Sequence, residues 1–332
     1  MSRTVRWGVL GAAKIALNKV IPAMQRGSRS TITAIASRDL ERAQSAAARL
    51  GIPKAYGSYD EMLADPEIDA VYNPLPNHLH LPLSARAAAA GKHVLCEKPI
   101  TLTAAECCSL IEARDRARVI IGEAFMVAVH PQWLRAREIL CSGEIGAPRS
   151  IVTAFSYFNR DPANIRNVPA YGGGALMDIG CYAVFTSRFL LGEEPSLVQA
   201  LIRTDPEFGV DILTSGLMRF PSAESVFTCG AQQAYYQRTQ IFGERGMIEI
   251  EIPFNPPPDR PCRLFVEVAG ERRTEQMPVC DQFTLQGDAF SRAIQEGGSP
   301  PVTLETALGN MRIIDALFSS AASGAAVPVE RG

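Results

Sequence analysis

The sequence predicts an α/β domain built on a parallel sheet, followed by an α+β domain with a mostly antiparallel sheet. Three observations lead there. Strand and helix signals alternate through the first 123 residues, long strand-like segments crowd the middle of the chain, and two helical segments close it. Alternation of this kind implies parallel strands with helices on both faces. The 332 residues suggest two domains at about 150 residues each. The expected division is 1–123 and 124–332.

Residues 5–10 form an apolar run that ends at Gly11, and 12–24 follow with helical character. Residues 31–36 are rich in β-branched side chains and read as the second strand. Asp39 is placed to cap a helix running to Leu50, with Gly51 as its stop. Further strands are expected at 68–72, 93–96 and 119–121, with helices at 79–90 and 104–117 between them. Thr103 and Glu106 make a capping box for the second of these helices. After Glu123 a helix at 132–141 precedes strands at 149–158, 197–203, 212–220 and 224–229, the last two joined by a turn at Pro221-Ser222. Strands at 239–242, 247–250 and 264–268 follow, 254–258 reads as a surface loop, and 283–295 and 304–322 read as helices.

Composition narrows the function. Thirty-three Lys and Arg against 35 Asp and Glu leave a net charge of −2, which argues against a nucleic-acid partner. No run reaches the roughly 18 apolar residues of a membrane span. Gly8, Gly11 and Lys14 interrupt the apolar N-terminal stretch, unlike a secretory signal, so a cytoplasmic location is expected. None of the eight cysteines lies in a C-x-x-C pair, and buried thiols in a reducing compartment are the expectation. The four histidines, at 78, 80, 93 and 130, have no metal-ligand spacing, and no metal site is expected.

The glycine fingerprint of a dinucleotide loop would fall on Gly11, Ala13 and Ala16, and only the first glycine is kept. Gly11 can still make the tight turn, and the amides of Ala12, Ala13, Lys14 and Ile15 at the start of the helix can hold a pyrophosphate. An ordinary strand–helix turn is the alternative. At the tip of the second strand, where an NAD site places an acid, stand Ser37 and Arg38. A hydroxyl and a guanidinium suit a 2′-phosphate, so NADP is favoured over NAD, provided that Asp39 caps its own helix.

Three blocks carry a resemblance to a known family. They are the loop from Gly8 to Ala16; Leu75-Pro76-Asn77-His78-Leu79-His80 with Ala90-Gly91-Lys92-His93-Val94-Leu95-Cys96-Glu97-Lys98-Pro99; and Gly172-Gly173-Gly174-Ala175-Leu176-Met177-Asp178-Ile179-Gly180-Cys181-Tyr182. In order and spacing the chain resembles the glucose–fructose oxidoreductase, inositol dehydrogenase and rhizopine-catabolism (Gfo/Idh/MocA) family of NAD(P)-dependent oxidoreductases, over nearly its whole length. Ser37-Arg38 and Lys54-Ala55-Tyr56-Gly57-Ser58-Tyr59 are similar to the branch with dimeric dihydrodiol dehydrogenase and NADP-dependent xylose dehydrogenase. The resemblance implies a Rossmann domain and a C-terminal domain with an open, mostly antiparallel sheet. It implies that Leu75, Pro76, Asn77, His80 and Glu97 lie at or beside the cofactor site, that Lys98 stands near the nicotinamide and the reacting oxygen, and that Asp178 contacts substrate. Most members carry a histidine where this chain has Tyr182, and in the similar branch tyrosine serves as acid/base.

A tyrosine, with a pKa near 10, is a poor base at neutral pH, but a nearby ammonium favours its phenolate. Lys98 would supply that charge and polarise a carbonyl in the reverse direction. Alone, Tyr182 reads equally as a core residue and Lys98 as a surface one. Trp133 is a pocket or packing residue, and Arg160 and Arg166 are anion ligands or surface residues. The expected function is hydride transfer between NADP or NAD and a sugar, polyol or related carbinol or carbonyl. A glycoside hydrolase of the same fold that uses NAD, and a cofactor-binding sensor without activity, are the rivals. The presence of both Lys98 and Tyr182 argues against the sensor. Alternation around Met218, Phe220 and Phe227 suggests that one sheet face is left open, which predicts a homodimer or homotetramer.

Overall fold

The structure is a computed structural model that describes residues 4–330. The chain packs as two compact units: residues up to Val129 together with Asp281–Leu308, and His130–Cys280 together with the residues from Gly309 on. The division expected at 123/124 differs from this in two ways. The crossing lies at 129/130, and the chain returns to the first unit for 281–308.

The helices in chain order are α1 (Ile21–Gln25), α2 (Leu40–Leu50), α3 (Tyr59–Leu63), α4 (His80–Ala89), α5 (Ala104–Ala117), α6 (Pro131–Cys141), α7 (Cys181–Leu191), α8 (Gln282–Glu296) and α9 (Leu304–Ser323). In the first unit β1 (Val5–Leu10), β2 (Ser30–Ala36), β3 (Lys54–Tyr56), β4 (Ala70–Asn73), β5 (His93–Cys96) and β6 (Ile121–Glu123) form a parallel sheet in the order β3-β2-β1-β4-β5-β6. All four residues of β4 are buried, as befits strands covered on both faces. The strand order reverses between β1 and β4, so the loops after these two strands flank the crevice where such sheets bind ligands.

The return of 281–308 to this unit has a local cause. Trp7 on β1 is fully buried; its Nε1 donates to Ser291 Oγ on α8 (3.1 Å), and its ring lies 5.6 Å from that of Phe290. The carboxylate of Asp288 accepts the backbone N–H groups of Ser28 and Arg29. α8 thus completes, with Val20, Ile21 and Met24, the cover on the side of the sheet that carries Trp7.

In the second unit β7 (Pro148–Phe158), β8 (Leu197–Thr204), β9 (Asp211–Arg219), β10 (Glu224–Gly230), β11 (Gln232–Gly243), β12 (Gly246–Ile250), β13 (Arg263–Val268), β14 (Glu271–Gln276) and β15 (Val327–Pro328) form a sheet in the order β14-β13-β12-β11-β7-β10-β9-β8-β15. The β7·β10 pair is parallel and the remaining pairs are antiparallel. One face buries Ile151, Phe155, Met218 and Phe227, and the turn Leu176–Gly180 packs on β7, β9 and β10. The opposite face presents Val152, Leu201 and Val226 to solvent. The segment Pro169–Leu191 is long and apolar enough by composition to cross a membrane, but 83% of its most apolar window is buried inside the protein.

Several expectations need correction. Residues 14–25 form one continuous helical segment, close to the 12–24 expected, but its middle widens to a π-helical turn, Ala16–Val20, before the short α1. β3 and α3 were not expected. The strand placed at 119–121 sits two residues later as β6, and 239–242 is the end of a much longer β11. β14, of sequence Glu271-Arg272-Arg273-Thr274-Glu275-Gln276, escaped notice because it is a charged edge strand, which masks the apolar alternation. Phe254 does not lie in a surface loop; it is fully buried.

Candidate active site

In the first unit the expected cofactor residues stand at the carboxyl ends of β1, β2, β4 and β5. Gly11 ends β1 with its N–H on Ala36 C=O (2.7 Å). Its φ of +84° suits glycine, and a Cβ there would lie 2.7 Å from Leu75 Cδ2. The turns after β1 and β4 therefore meet at the strand-order reversal. Ala12 C=O accepts from Arg42 Nη2 (2.9 Å), Ala13 is half-buried, and Lys14 and Ile15 are exposed. Leu17 N–H closes the first helical bond onto Ala13 C=O (3.0 Å). The amides before it belong to the helix's open start, where an anion fits.

At the tip of β2, Ser37 is buried with its N–H on Tyr56 C=O (3.0 Å), and Arg38 is exposed. Asp39 caps α2: its carboxylate accepts Arg42 N–H (3.2 Å). That carboxylate is thus engaged by its own helix, as the reading of the strand tip requires.

After β5, Glu97 Oε1 accepts the hydroxyl of buried Tyr72 (2.6 Å), and Glu97 Oε2 accepts the N–H of Lys98 (3.3 Å). The Lys98–Pro99 peptide is cis. Ile100 N–H donates to Glu123 Oε1 (2.8 Å), a buried carboxylate at the end of β6. His80 is fully buried, and its two ring nitrogens lie 2.7 Å from Pro99 C=O and from Leu75 C=O. Burial pulls the pKa of the ring down to about 4. The ring therefore spans from the loop after β4 to the residue after Lys98. Pro76 and Asn77 open a 3-10 turn on the same loop, with Leu79 N–H on Pro76 C=O (2.8 Å).

In the second unit Gly173 and Gly174 are forced by their surroundings. A Cβ at Gly173 would run into Arg166 C=O. Gly174, at φ +112°, would place one on Asp211 Oδ1. Asp211 is buried; its Oδ2 accepts Leu176 N–H (2.7 Å) and the Thr214 hydroxyl (3.0 Å). Burial raises its pKa, and those bonds oppose the rise. The chain then enters the π-helical turn Leu176–Gly180 and continues as α7. Such turns recur at functional sites.

Asp178 lies on that turn. Its Oδ2 accepts the Tyr157 hydroxyl (2.7 Å) and forms an ion pair with Arg166 Nε (2.7 Å). Tyr157 is pushed above the ordinary tyrosine range by burial and then by the charge of Asp178, so it stays a phenol and a donor. Tyr182, one turn on, is 6% exposed, with its ring 5.9 Å from Phe155 and 5.1 Å from Phe254. Trp133 packs: it is fully buried, donates Nε1–H to Pro253 C=O (2.8 Å) and stacks on Phe254. Arg160 pairs with Glu207 (2.7 Å) and approaches Asp205 (3.6 Å). Sequence reasoning missed Tyr157, Asp211 and Phe254; the only trace was strand alternation on β7, which turns Tyr157 away from its neighbours Ser156 and Phe158.

A parallel sheet with this strand order, carrying such turns at its carboxyl edge, defines a dinucleotide-binding protein, here extended by an antiparallel-sheet domain. Residues 5–125 match the model for the GFO/IDH/MocA oxidoreductase family with its NAD-binding Rossmann fold, and 133–249 match the GFO/IDH/MocA C-terminal domain. The chain is 41% identical to D-xylose 1-dehydrogenase (NADP(+)) 2 of Haloferax volcanii, over 98% of this chain and 99% of the relative. It is 34% identical to a dTDP-3,4-didehydro-2,6-dideoxy-alpha-D-glucose 3-reductase of Streptomyces violaceoruber, over 89% and 87%. The crystal structure of an aldose-aldose oxidoreductase from Caulobacter crescentus, complexed with glycerol, superposes with a TM-score of 0.92 at 29% identity, over 98% of this chain and all of the other. The chain belongs to the GFO/IDH/MocA family, and it is an NAD(P)-dependent oxidoreductase.

Proposed function

We propose that the protein is an NADP-preferring dehydrogenase or reductase of a sugar, polyol or related carbinol or carbonyl. The observation that carries this reading is the gathering of Gly11, Ser37, Arg38, Leu75 and Lys98 at the carboxyl ends of neighbouring parallel strands, beside the strand-order reversal. NADP preference rests on exposed Arg38 and on Asp39 being engaged by α2. The relative named for xylose and NADP(+) supports both halves.

Gly11, Ala12, Ala13, Lys14 and Ile15 would hold the pyrophosphate, Ser37 and Arg38 the adenosine end, and Leu75, Pro76, Asn77 and Glu97 the remainder, with His80 bracing the last two loops. When bound, the nicotinamide supplies or accepts the hydride. Lys98 contributes a cation at the reacting oxygen, Tyr182 moves the proton at that oxygen, and Asp178 accepts a substrate hydroxyl. The first unit would serve cofactor binding and the second substrate binding and assembly.

Assembly is through the open sheet face, where Val152, Leu201 and Val226 stand in solvent, giving a homodimer or homotetramer. The partners are carbohydrate-like small molecules, not nucleic acid or membrane, in a reducing cytoplasm that suits eight cysteines without a disulfide. A panel of aldoses, ketoses, dihydrodiols and anhydro-sugars, assayed with NADP and with NAD, tests the activity. Turnover by none of them defeats the reading. Light scattering at micromolar concentration tests assembly, and a monomer defeats it.

A further inference from the structure

Anions are bound in proteins chiefly by guanidinium or ammonium groups and by amides at helix starts. In the second unit both devices around the triple-glycine block are already engaged by the chain's own carboxylates. The helix start at Leu176 gives its N–H to buried Asp211. Arg166 is ion-paired with Asp178, and Arg160 is paired with Glu207 beside Asp205. The segments 155–182 and 205–211 hold two arginines against Asp161, Asp178, Asp205, Glu207 and Asp211, with no lysine. Gly209 brings the second segment against Pro169 of the first, 3.6 Å from a Cβ at Gly209 to Pro169 Cγ, so these charges share one region.

The carboxylate of Asp178 is also held in a particular way. The Tyr157 hydroxyl donates to Oδ2, and the Arg166 Nε of the ion pair lies 2.7 Å from the same oxygen. That fixes the plane of the group and makes it an oriented acceptor. Sugar hydroxyls are donors that such a group receives. A phosphate or carboxylate brings only acceptors, and on these two segments it would meet a surplus of like charge.

We propose that this site selects uncharged sugars and polyols and discriminates against sugars that carry phosphate, diphosphate or carboxylate groups, with Tyr157 and Arg166 acting as positioning residues for Asp178. The proposal deepens the oxidoreductase reading above and rests on it. It makes Arg166 part of a neutral, donor-receiving pair with Asp178.

The test compares D-xylose and D-glucose with D-glucose 6-phosphate, D-glucuronate and a nucleoside diphosphate glucose, by turnover with NADP and by calorimetric binding to the NADP-loaded protein. The uncharged sugars should exceed every charged one by about tenfold or more in kcat/KM and in affinity. Equal or better use of a charged sugar overturns the proposal. Arg166→Met and Tyr157→Phe should each lower kcat/KM for the uncharged sugar roughly tenfold or more, mainly through the sugar's KM, while the KM for NADP stays within about twofold. Arg166→Lys should recover part of the loss. If Arg166→Met instead spares uncharged sugars and abolishes use of a charged one, Arg166 is an anion receptor and the proposal falls. Normal NADP binding with no response to any sugar overturns the parent reading and this proposal together, a pattern distinct from reversed selectivity.

Discussion

The turn after β1 and the turn before α7 both deliver the chain into a π-helical turn, Ala16–Val20 in one and Leu176–Gly180 in the other, yet they use glycine differently. At Gly11 a Cβ would meet chiefly the far end of the Leu75 side chain, which can rotate away, and the following residues are alanines. At Gly173 and Gly174 it would meet the Arg166 backbone and a carboxylate that is already bonded to an amide and a hydroxyl. Glycine is obligatory where the obstacle cannot move. That is why the loop after β1, reduced to one fingerprint glycine, still makes its turn, whereas the block before α7 keeps glycine at both 173 and 174.

The comparison can be broken most directly at Gly174. Gly174→Ala combines a left-handed φ with a collision against Asp211 and should destabilise the protein by about 4 kcal/mol. Gly11→Ala, with a movable neighbour, should cost about half as much. Denaturant unfolding measures both, and equal losses would end the distinction. Next in size is Lys98→Ala on the cofactor side, which should lower turnover by roughly two orders of magnitude or more, with folding intact. Near-normal turnover would remove Lys98 from the chemistry.

A smaller effect sharpens the contrast between the units, because each holds one buried histidine. His80 and His130 are both held by burial at about 4, below the ordinary 6.5. The unfolded chain takes up these protons near 6.5 and the folded chain only near 4. Stability is therefore complete above about pH 6.5 and falls as the pH drops toward 4, by roughly 2–3 kcal/mol per ring. Unfolding midpoints between pH 7.5 and 4.5 measure the slope, and His80→Gln should flatten it. An unchanged slope would mean that the ring's pKa is not depressed. The smallest effect is expected at Arg38. Arg38→Ala should weaken NADP binding by about 2 kcal/mol and leave NAD binding nearly unchanged. Equal losses for the two dinucleotides would reduce Arg38 to a stacking role.

What was legible in the sequence was local. The bounds of β1, β5 and α5, the Asp39 cap and the Gly51 stop all follow from interactions within a few residues, and they stand where periodicity and capping chemistry put them. The unread features depend on partners far along the chain. Asp211 comes 37 residues after Gly174, and Tyr157 comes 21 before Asp178. Phe254, followed by Asn255 and three prolines, looks like a loop residue until Phe155 and Tyr182 are brought against it. The π-helical turns lengthen the hydrogen-bond span of an α-helix by one residue, which a hydrophobic pattern of five residues cannot register.

The return of 281–308 to the first unit also sets a timetable for synthesis. The strands up to Val129 leave the ribosome well before α8 exists, and at about 5–20 residues per second the wait is about ten to thirty seconds. Throughout that interval the side of Trp7 that α8 will cover is bare. The nascent sheet must be shielded by a chaperone or tolerate an exposed indole, and neither unit is finished until α9 has been made.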